Sequence, residues 1–407
     1  MKRQLFFICA LCSSVFLLHA GNWTQWRGRN RDLLILDEVV KESWPASGPK
    51  QLWQVDIECD GYSSPLVVDG RIYITGCAGD KKDRRGWMFC LNAADGNVLW
   101  KTEYGSEWGK NFERARTTPA FVDGHLYLVS GVCEVVCLDA AKGTILWKVD
   151  ALKRFNGSNI KFGISECPLI YDDKIICQPG GETPVAALNI KDGSTLWTCN
   201  GLSEMSAYCN PDLLEINGKK QLVTSLAKHT VGLDPDTGKL LWKYECMTAK
   251  SIHPNTPILC GKDRIYVSQG YKGGSEVFEV KGSNVKRVWF EKKCDNHFQG
   301  AAFYKGRIFS AGGGKLWCFD PADGKAVYTV EEANKTSFCI LSNNIMITYD
   351  AQGGTVMLLR VDADKYEVKG SFKISYGNDQ HWSSPVVANG KLYLRHGKGI
   401  AAFAVGK

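Results

Sequence analysis

The 407-residue chain is 44% hydrophobic and 23% charged, a balance that excludes a disordered, collagen-like or coiled-coil protein. Its formal charge of +7 comes from basic residues interspersed with acids, without the continuous basic stripe of a nucleic-acid-binding face. Two counts stand out, 42 Gly and 13 Trp; glycine at that level without low complexity implies many tight turns between short strands.

The chain opens with Lys2 and Arg3, an apolar run from Leu5 to Leu18, and Ala20 before Gly21. A basic start, an apolar stretch too short to span a bilayer and a small residue at the cut predict a secretory signal peptide over residues 1–20. Ile8 and Leu11 precede Cys9 and Cys12 where lipid attachment calls for a small residue. A periplasmic or secreted protein without a lipid anchor is therefore expected. No later apolar run approaches the length of a transmembrane segment. Export permits disulfides, and Cys199 with Cys209 or Cys246 with Cys260 flank common loops and can bridge. Cys90, Cys137 and Cys318 share one repeat position and read as small apolar core residues.

Residues 21–50 read as an N-terminal extension. Beyond it the chain repeats. Ser63-Ser64-Pro65 leads through Asp69-Gly70 to Tyr73, Thr117-Thr118-Pro119 through Asp123-Gly124 to Tyr127, and Ser383-Ser384-Pro385 through Asn389-Gly390 to Tyr393. Each copy is a strand, a two-residue type I′ turn and a second strand. Weaker copies start at Pro168, Pro211, Pro257, Ala301 and Cys339, a period of about 46 residues. A second half follows: Gly96/Trp100, Gly143/Trp147, Gly193/Trp197 and Gly238/Trp242 keep one offset, and Gly324/Tyr328 exchanges one aromatic for another. Glycine turns strand three into strand four, and the ring that follows packs between neighbouring sheets. The eighth copy lacks its fourth strand, while Gln51–Val55 supplies an orphan Leu52-Trp53 before the first copy. The expected fold is all-β, an eight-bladed β-propeller over residues 51–407 with four-stranded antiparallel blades, its ring closed by the N-terminal strand.

The Ala-x-Asp-x-x-x-Gly-x-x-x-Trp pattern is similar to the tryptophan-docking repeat of the pyrroloquinoline-quinone (PQQ) propeller superfamily, which includes quinoprotein dehydrogenases and BamB-like proteins. The opening Asn22-Trp23-Thr24-Gln25-Trp26 also resembles secreted bacterial members. The resemblance covers residues 22–407 and implies the fold; the scaffold carries both enzymes and binding proteins. A quinoprotein dehydrogenase holds PQQ with Ca²⁺. Gly180-Gly181-Glu182 is similar to the stretch bearing its metal-binding Glu, which makes Glu182 the candidate cofactor residue. The next blade runs through His229 without the family's Asn and Asp, and no adjacent Cys pair occurs.

Loops entering strand one gather at the channel mouth, where propeller ligands sit. His253, His297 and His381 each stand four residues before a repeat anchor, with Lys335 at the same place in blade seven. Two residues further on are Glu166, Cys209, Asn255, Gln299 and Ser383. Three imidazoles can ligate a transition metal, or can form part of a polar surface; the metal question stays open at this stage. Tyr62, Tyr208, Phe298 and Trp382 suit sugar or peptide stacking, and the loops Glu103–Arg116 and Val149–Ser165 are long enough to cover this face. The expected ligand-lining set is His253, His297, His381, Glu166, Asn255, Tyr208 and Trp382. No complete catalytic set is present. The expectation is a non-enzymatic exported propeller that binds a protein or extended polar ligand, an envelope protein among the candidates, with a PQQ-dependent dehydrogenase as the alternative.

Overall fold

In the computed structural model, which describes residues 21–247, 250–297, 300–333 and 335–407, the chain is an eight-bladed β-propeller of antiparallel sheets. The leader expected over 1–20, together with Phe298, Gln299 and Asn334, lies outside the described residues. Blade one is Leu66–Val68, Arg71–Ala78, Arg85–Asn92 and Val98–Ser106. The innermost strands of the next six blades are Ala120–Val122, Leu169–Tyr171, Asp212–Ile216, Ile258–Leu259, Ala301–Tyr304 and Thr336–Leu341, at or beside each repeat anchor. Asp69-Gly70, Asp123-Gly124 and Asn389-Gly390 all have positive φ at both residues, the backbone a type I′ hairpin requires.

Blade eight comprises Val386–Ala388, Lys391–His396 and Gly399–Ala404, and its fourth strand is Gln51–Asp56. Trp53 pairs with Ala402 and Val55 with Ile400. Strand pairing therefore joins the two ends of the ring. Across this closure the buried Arg395 of blade eight reaches blade one, donating to Ser63 Oγ at 2.7 Å and Thr75 O at 2.6 Å.

One local distortion recurs in every blade. The pairing of strands three and four shifts by one residue immediately before the docking position, so that Leu52, Leu99, Leu146, Leu196, Leu241, Val288, Val327 and Lys369 are each extra residues in a bulge. A bulge bends its strand and re-aims the next side chain. Here it turns Leu99 and Leu146 half out to solvent (51% and 50% exposed) and swings the following ring onto the neighbouring blade. The receiving surface is the next blade's turn glycine. A Cβ on Gly143 would stand 2.5 Å from Trp100, one on Gly238 2.4 Å from Trp197, and one on Gly324 2.4 Å from Trp289. Gly96 of blade one receives Trp53 of blade eight in the same way, at 2.9 Å. The indole N–H then donates to the neighbour's turn, Trp147 to Ile190 O at 2.9 Å and Trp197 to Pro235 O at 3.1 Å. Blade five turns through Gly282 with open space around it, so Trp242 donates instead to Gln221 of its own blade at 2.6 Å. Blade seven has Gly370 where the ring belongs, and Trp44 of the N-terminal segment packs against it.

Residues 22–35 form a loop inserted into the channel, with Gly21 and Glu38 both at the Asn389-Gly390 hairpin where it enters and leaves. Trp23 bridges Val67 of blade one, and Thr24 O accepts from Phe121 of blade two. Arg27 donates to Ala301 O of blade six at 2.8 Å. Arg31 donates to Pro168 O at 3.1 Å and Pro211 O at 2.9 Å, and pairs with Asp212 at 3.4 Å. Leu34–Ile35 then adds a parallel fifth strand to blade seven, and Glu38 accepts the Asn389 and Gly390 amides of blade eight at 2.6 and 3.0 Å. Burial lowers the Arg27 guanidinium to about 10, still charged at neutral pH.

All fourteen described cysteines are free, so the bridges considered from loop spacing do not form. Cys209 Sγ faces the Asn210 and Asn255 carbonyls, and Cys246 Sγ the Leu226 carbonyl, while Cys199 is buried in the core between blades three and four.

Two stability outcomes follow from this geometry. Trp197→Ala should cost about 3–5 kcal/mol, whereas Leu196→Ser, one residue away on the bulge, should cost about 0.5 kcal/mol or less; urea midpoints compare them. Arg31→Ala strands the buried Asp212 carboxylate and should cost about 3–5 kcal/mol, read from the same unfolding curves.

Candidate functional site

The channel-facing loops enclose a cavity of ≈ 300 Å³. Its lining includes Trp26, the tip of the inserted N-terminal segment, which is itself held by the Arg27 and Arg31 guanidinium groups 5.4 and 6.0 Å from its ring. Around the cavity runs a chain of ring contacts: Tyr62 to Trp382 at 4.8 Å, Trp382 to Phe112 at 5.3 Å, Phe112 to Phe162 at 5.8 Å and Phe162 to Tyr208 at 6.1 Å. Tyr271 and His297, 4.6 Å apart, also border it. Phe112, Tyr208 and Tyr271 have φ of 52°, 70° and 56°. Left-handed backbone at bulky residues is strained and clusters at binding sites.

The loops are fixed by polar contacts beneath and between the rings. Arg116 ties the two long loops together, donating to Phe112 O at 2.6 Å, to Asn111 O at 3.3 Å and to Phe162 O. No described carboxylate lies within 4.0 Å of it, and burial lowers its pKa from the usual arginine value. Tyr208 Oη accepts the Phe162 amide at 3.1 Å. On the opposite rim Tyr62 donates to Asp379 at 3.0 Å, and Asp379 pairs with Arg114 at 3.2 Å. Burial, with Asp379 adding to it, pushes the Tyr62 hydroxyl pKa up.

Of the residues expected from sequence, Tyr62, Tyr208, Trp382 and His297 border this cavity. The others are elsewhere. His253 is fully buried with Nε2 3.3 Å from Ala227 O, and burial lowers its pKa to about 4. His381 stacks on His396 at 3.7 Å, with Nδ1 2.8 Å from Tyr349 Oη; burial and then His396 lower it to about 4. The three histidines thus have separate surroundings, and among the described residues no three His, Cys, Asp or Glu side chains are grouped to hold a metal ion. Asn255 joins blades five and six, donating to Asn296 O at 2.6 Å and accepting from Gly300 at 3.0 Å. Glu166 is buried and accepts from Ser206 at 2.8 Å. Glu182 is exposed at a tight turn.

Trp26, Phe112, Arg116, Phe162 and Tyr271 were not singled out by repeat alignment. Phe112, Arg116 and Phe162 lie in the two long loops, whose excess length was the available signal. Trp26 precedes the repeat altogether.

A calcium-bound quinone requires hard oxygen donors beside a flat ring. The cavity has rings on several sides, but among the described residues neither Asp nor Glu lines it. The residues present do not fit a calcium–quinone pair.

Eight bulged meanders, five of them docked by tryptophan on the next blade's glycine, define a PQQ-like β-propeller. The family described as "Outer membrane protein assembly factor BamB" matches residues 84–330, and the chain belongs to it. No curated protein matches in sequence. Among solved structures, BamB from Moraxella catarrhalis is similar at 14% identity, with 88% of this chain and 99% of that one covered and a TM-score of 0.60. A quinohemoprotein alcohol dehydrogenase from Comamonas testosteroni is similar at 14% identity, covering 95% and 81%, with a TM-score of 0.68. The computationally designed protein Ika8 is similar at 10% identity, covering 87% and 99%, with a TM-score of 0.62. These likenesses concern the fold alone.

Glu166 makes a pH prediction. Burial raises its pKa from 4.5 to about 8. The folded state then binds a proton that the unfolded state has released. Stability from this group is complete below about pH 4.5 and falls as pH rises toward 8. Glu166→Gln should flatten the fall in urea midpoint between pH 5 and 8 and leave the protein more stable than wild type at pH 8.

Proposed function

We propose that the protein is an exported propeller that acts by binding, holding a protein or extended ligand at the channel mouth, with no catalytic step of its own. The observation that carries this reading is the arc of rings from Tyr62 to Tyr208 over a cavity based on Trp26. Concave, mostly apolar sites with a few fixed polar groups are what ligands occupy. The lining has no carboxylate to act as a general base or to hold a cation beside a quinone. Residues 1–20 supply the expected export signal, and among the described residues no helix is long and apolar enough to cross a membrane. The family's description names a factor for outer membrane protein assembly, in keeping with an envelope role.

The test uses the mature protein as bait in envelope extract. A specific partner should be captured by wild type and lost with Phe112→Ala, whose ring is half exposed at the mouth. Capture of nothing, or capture indifferent to Phe112, would overturn the reading. Added PQQ with Ca²⁺ should leave the visible spectrum unchanged; quinone-dependent dye reduction with alcohols or sugars would overturn the non-catalytic part.

A further inference from the structure

The ring-lined cavity opens beside a second cleft of ≈ 490 Å³, and the two share Tyr208 and Ile252. Lys161, Lys228 and Lys250 border this cleft, together with the Glu204 carboxylate, whose oxygens are taken by the Lys228 and His229 amides and by the His229 ring. Two of these ammonium groups also stand over rings of the cavity wall, Lys161 at 5.3 Å from Phe162 and Lys250 at 5.4 Å from Tyr271. Inside the cavity Arg116 adds a guanidinium with no carboxylate within 4.0 Å. Rings and cations therefore alternate along one continuous depression.

We infer that this depression binds an acidic oligosaccharide, with one pyranose unit seated among the rings of the cavity and its neighbours' anionic groups beside the lysines of the cleft. The inference rests on the binding role proposed above and names its ligand. Pyranose rings present flat C–H faces that stack on aromatic side chains, and their hydroxyls need polar side chains at the edges. Asn210, whose Oδ1 is taken by the Cys167 amide, and Ser165 supply such groups. Arg116 and the lysines complement carboxylate or sulfate substituents, because a guanidinium binds oxyanions in its plane and an ammonium acts as a point charge. Within the cavity an apolar peptide segment would find rings with Ile252 and Pro254 as the aliphatic walls, the other aliphatic side chains, Ile160, Met205 and Ala227, lining the cleft. A cationic ligand would meet the Arg116 guanidinium inside the cavity and the lysines of the cleft. Two joined compartments suit a chain of several units better than one small molecule.

Isothermal titration of the mature protein decides it. The probes are tetragalacturonate, a heparin-derived tetrasaccharide, cellotetraose and N-acetyl-tetraglutamate. At least one acidic oligosaccharide should bind, at least tenfold tighter than cellotetraose or tetraglutamate; which of the two binds identifies the anion as carboxylate or sulfate. Trp382→Ala should weaken binding at least tenfold. The double variant Lys161→Gln/Lys250→Gln, changed only at lysine heads, should weaken it at least fivefold with an unchanged melting temperature, and decides the matter if Trp382→Ala fails to fold. No binding by either acidic oligosaccharide, equal binding by cellotetraose or tetraglutamate, or affinity indifferent to the lysine pair would overturn the inference. If the oligosaccharides fail while envelope capture remains sensitive to Phe112, only the ligand class falls.

Discussion

Ring closure is the constraint on which the rest of the molecule depends. An open array of eight meanders would present free sheet edges at both ends. Here the strand Gln51–Asp56 pairs with Gly399–Ala404 and removes them. Because that strand is the first of the propeller, the chain before it starts at the ring itself. Residues 22–35 loop into the channel, and together their contacts there join blades that are far apart in sequence. Arg31 alone bonds to carbonyls of blades three and four, and Glu38 caps a hairpin of blade eight. Trp44 covers the position left by Gly370. The same inserted segment sets the depth of the cavity, since Trp26 is at its tip.

The scaffold was legible because its signals are local. Asp69-Gly70 and Asn389-Gly390 specify turns by backbone chemistry, and Gly143 with Trp147 specifies a bulged outer strand that docks sideways. Leu52-Trp53 could be assigned to blade eight because it carries that signature without the three strands that should precede it. The inserted segment has no such period. Its contacts are main-chain carbonyls met by Arg27 and Arg31, and carbonyls carry no sequence mark. Two arginines of this stretch, Arg27 and Arg31, are buried at the axis.

The candidate site was legible only in part, and the physical reason lies in the loops. Alignment on repeat anchors counts residues back from each strand, as though the preceding loops shared one path. They do not. Tyr208 and Asp379 have left-handed backbone, at φ of 70° and 76°, and such turns send equivalent positions in different directions. His253 is therefore buried beside Ala227 while His297 reaches the cavity. Ring residues were easier to place, because large amphipathic side chains are favoured wherever a loop covers a cavity.

The remaining competitor for a recognition surface is the outer rim, where Leu52, Leu99, Leu146 and Leu196 are exposed. In many proteins such residues mark a partner. Here each is the extra residue of a bulge that rotates the next side chain, and the same exposure recurs at Val288 and Val327, six of the eight bulge positions in all. A feature repeated around the ring with the fold's own period is explained by the fold. The aromatic chain from Tyr62 to Tyr208 has no such period: it draws on two enlarged loops and on strained backbone that no blade requires. Strain of that kind persists only where the surrounding structure holds it, and Arg116, Tyr208 and Asp379 hold it here through bonds between loops. The asymmetry of the channel mouth, set against the regularity of the rim, is what favours the mouth as the recognition surface proposed above.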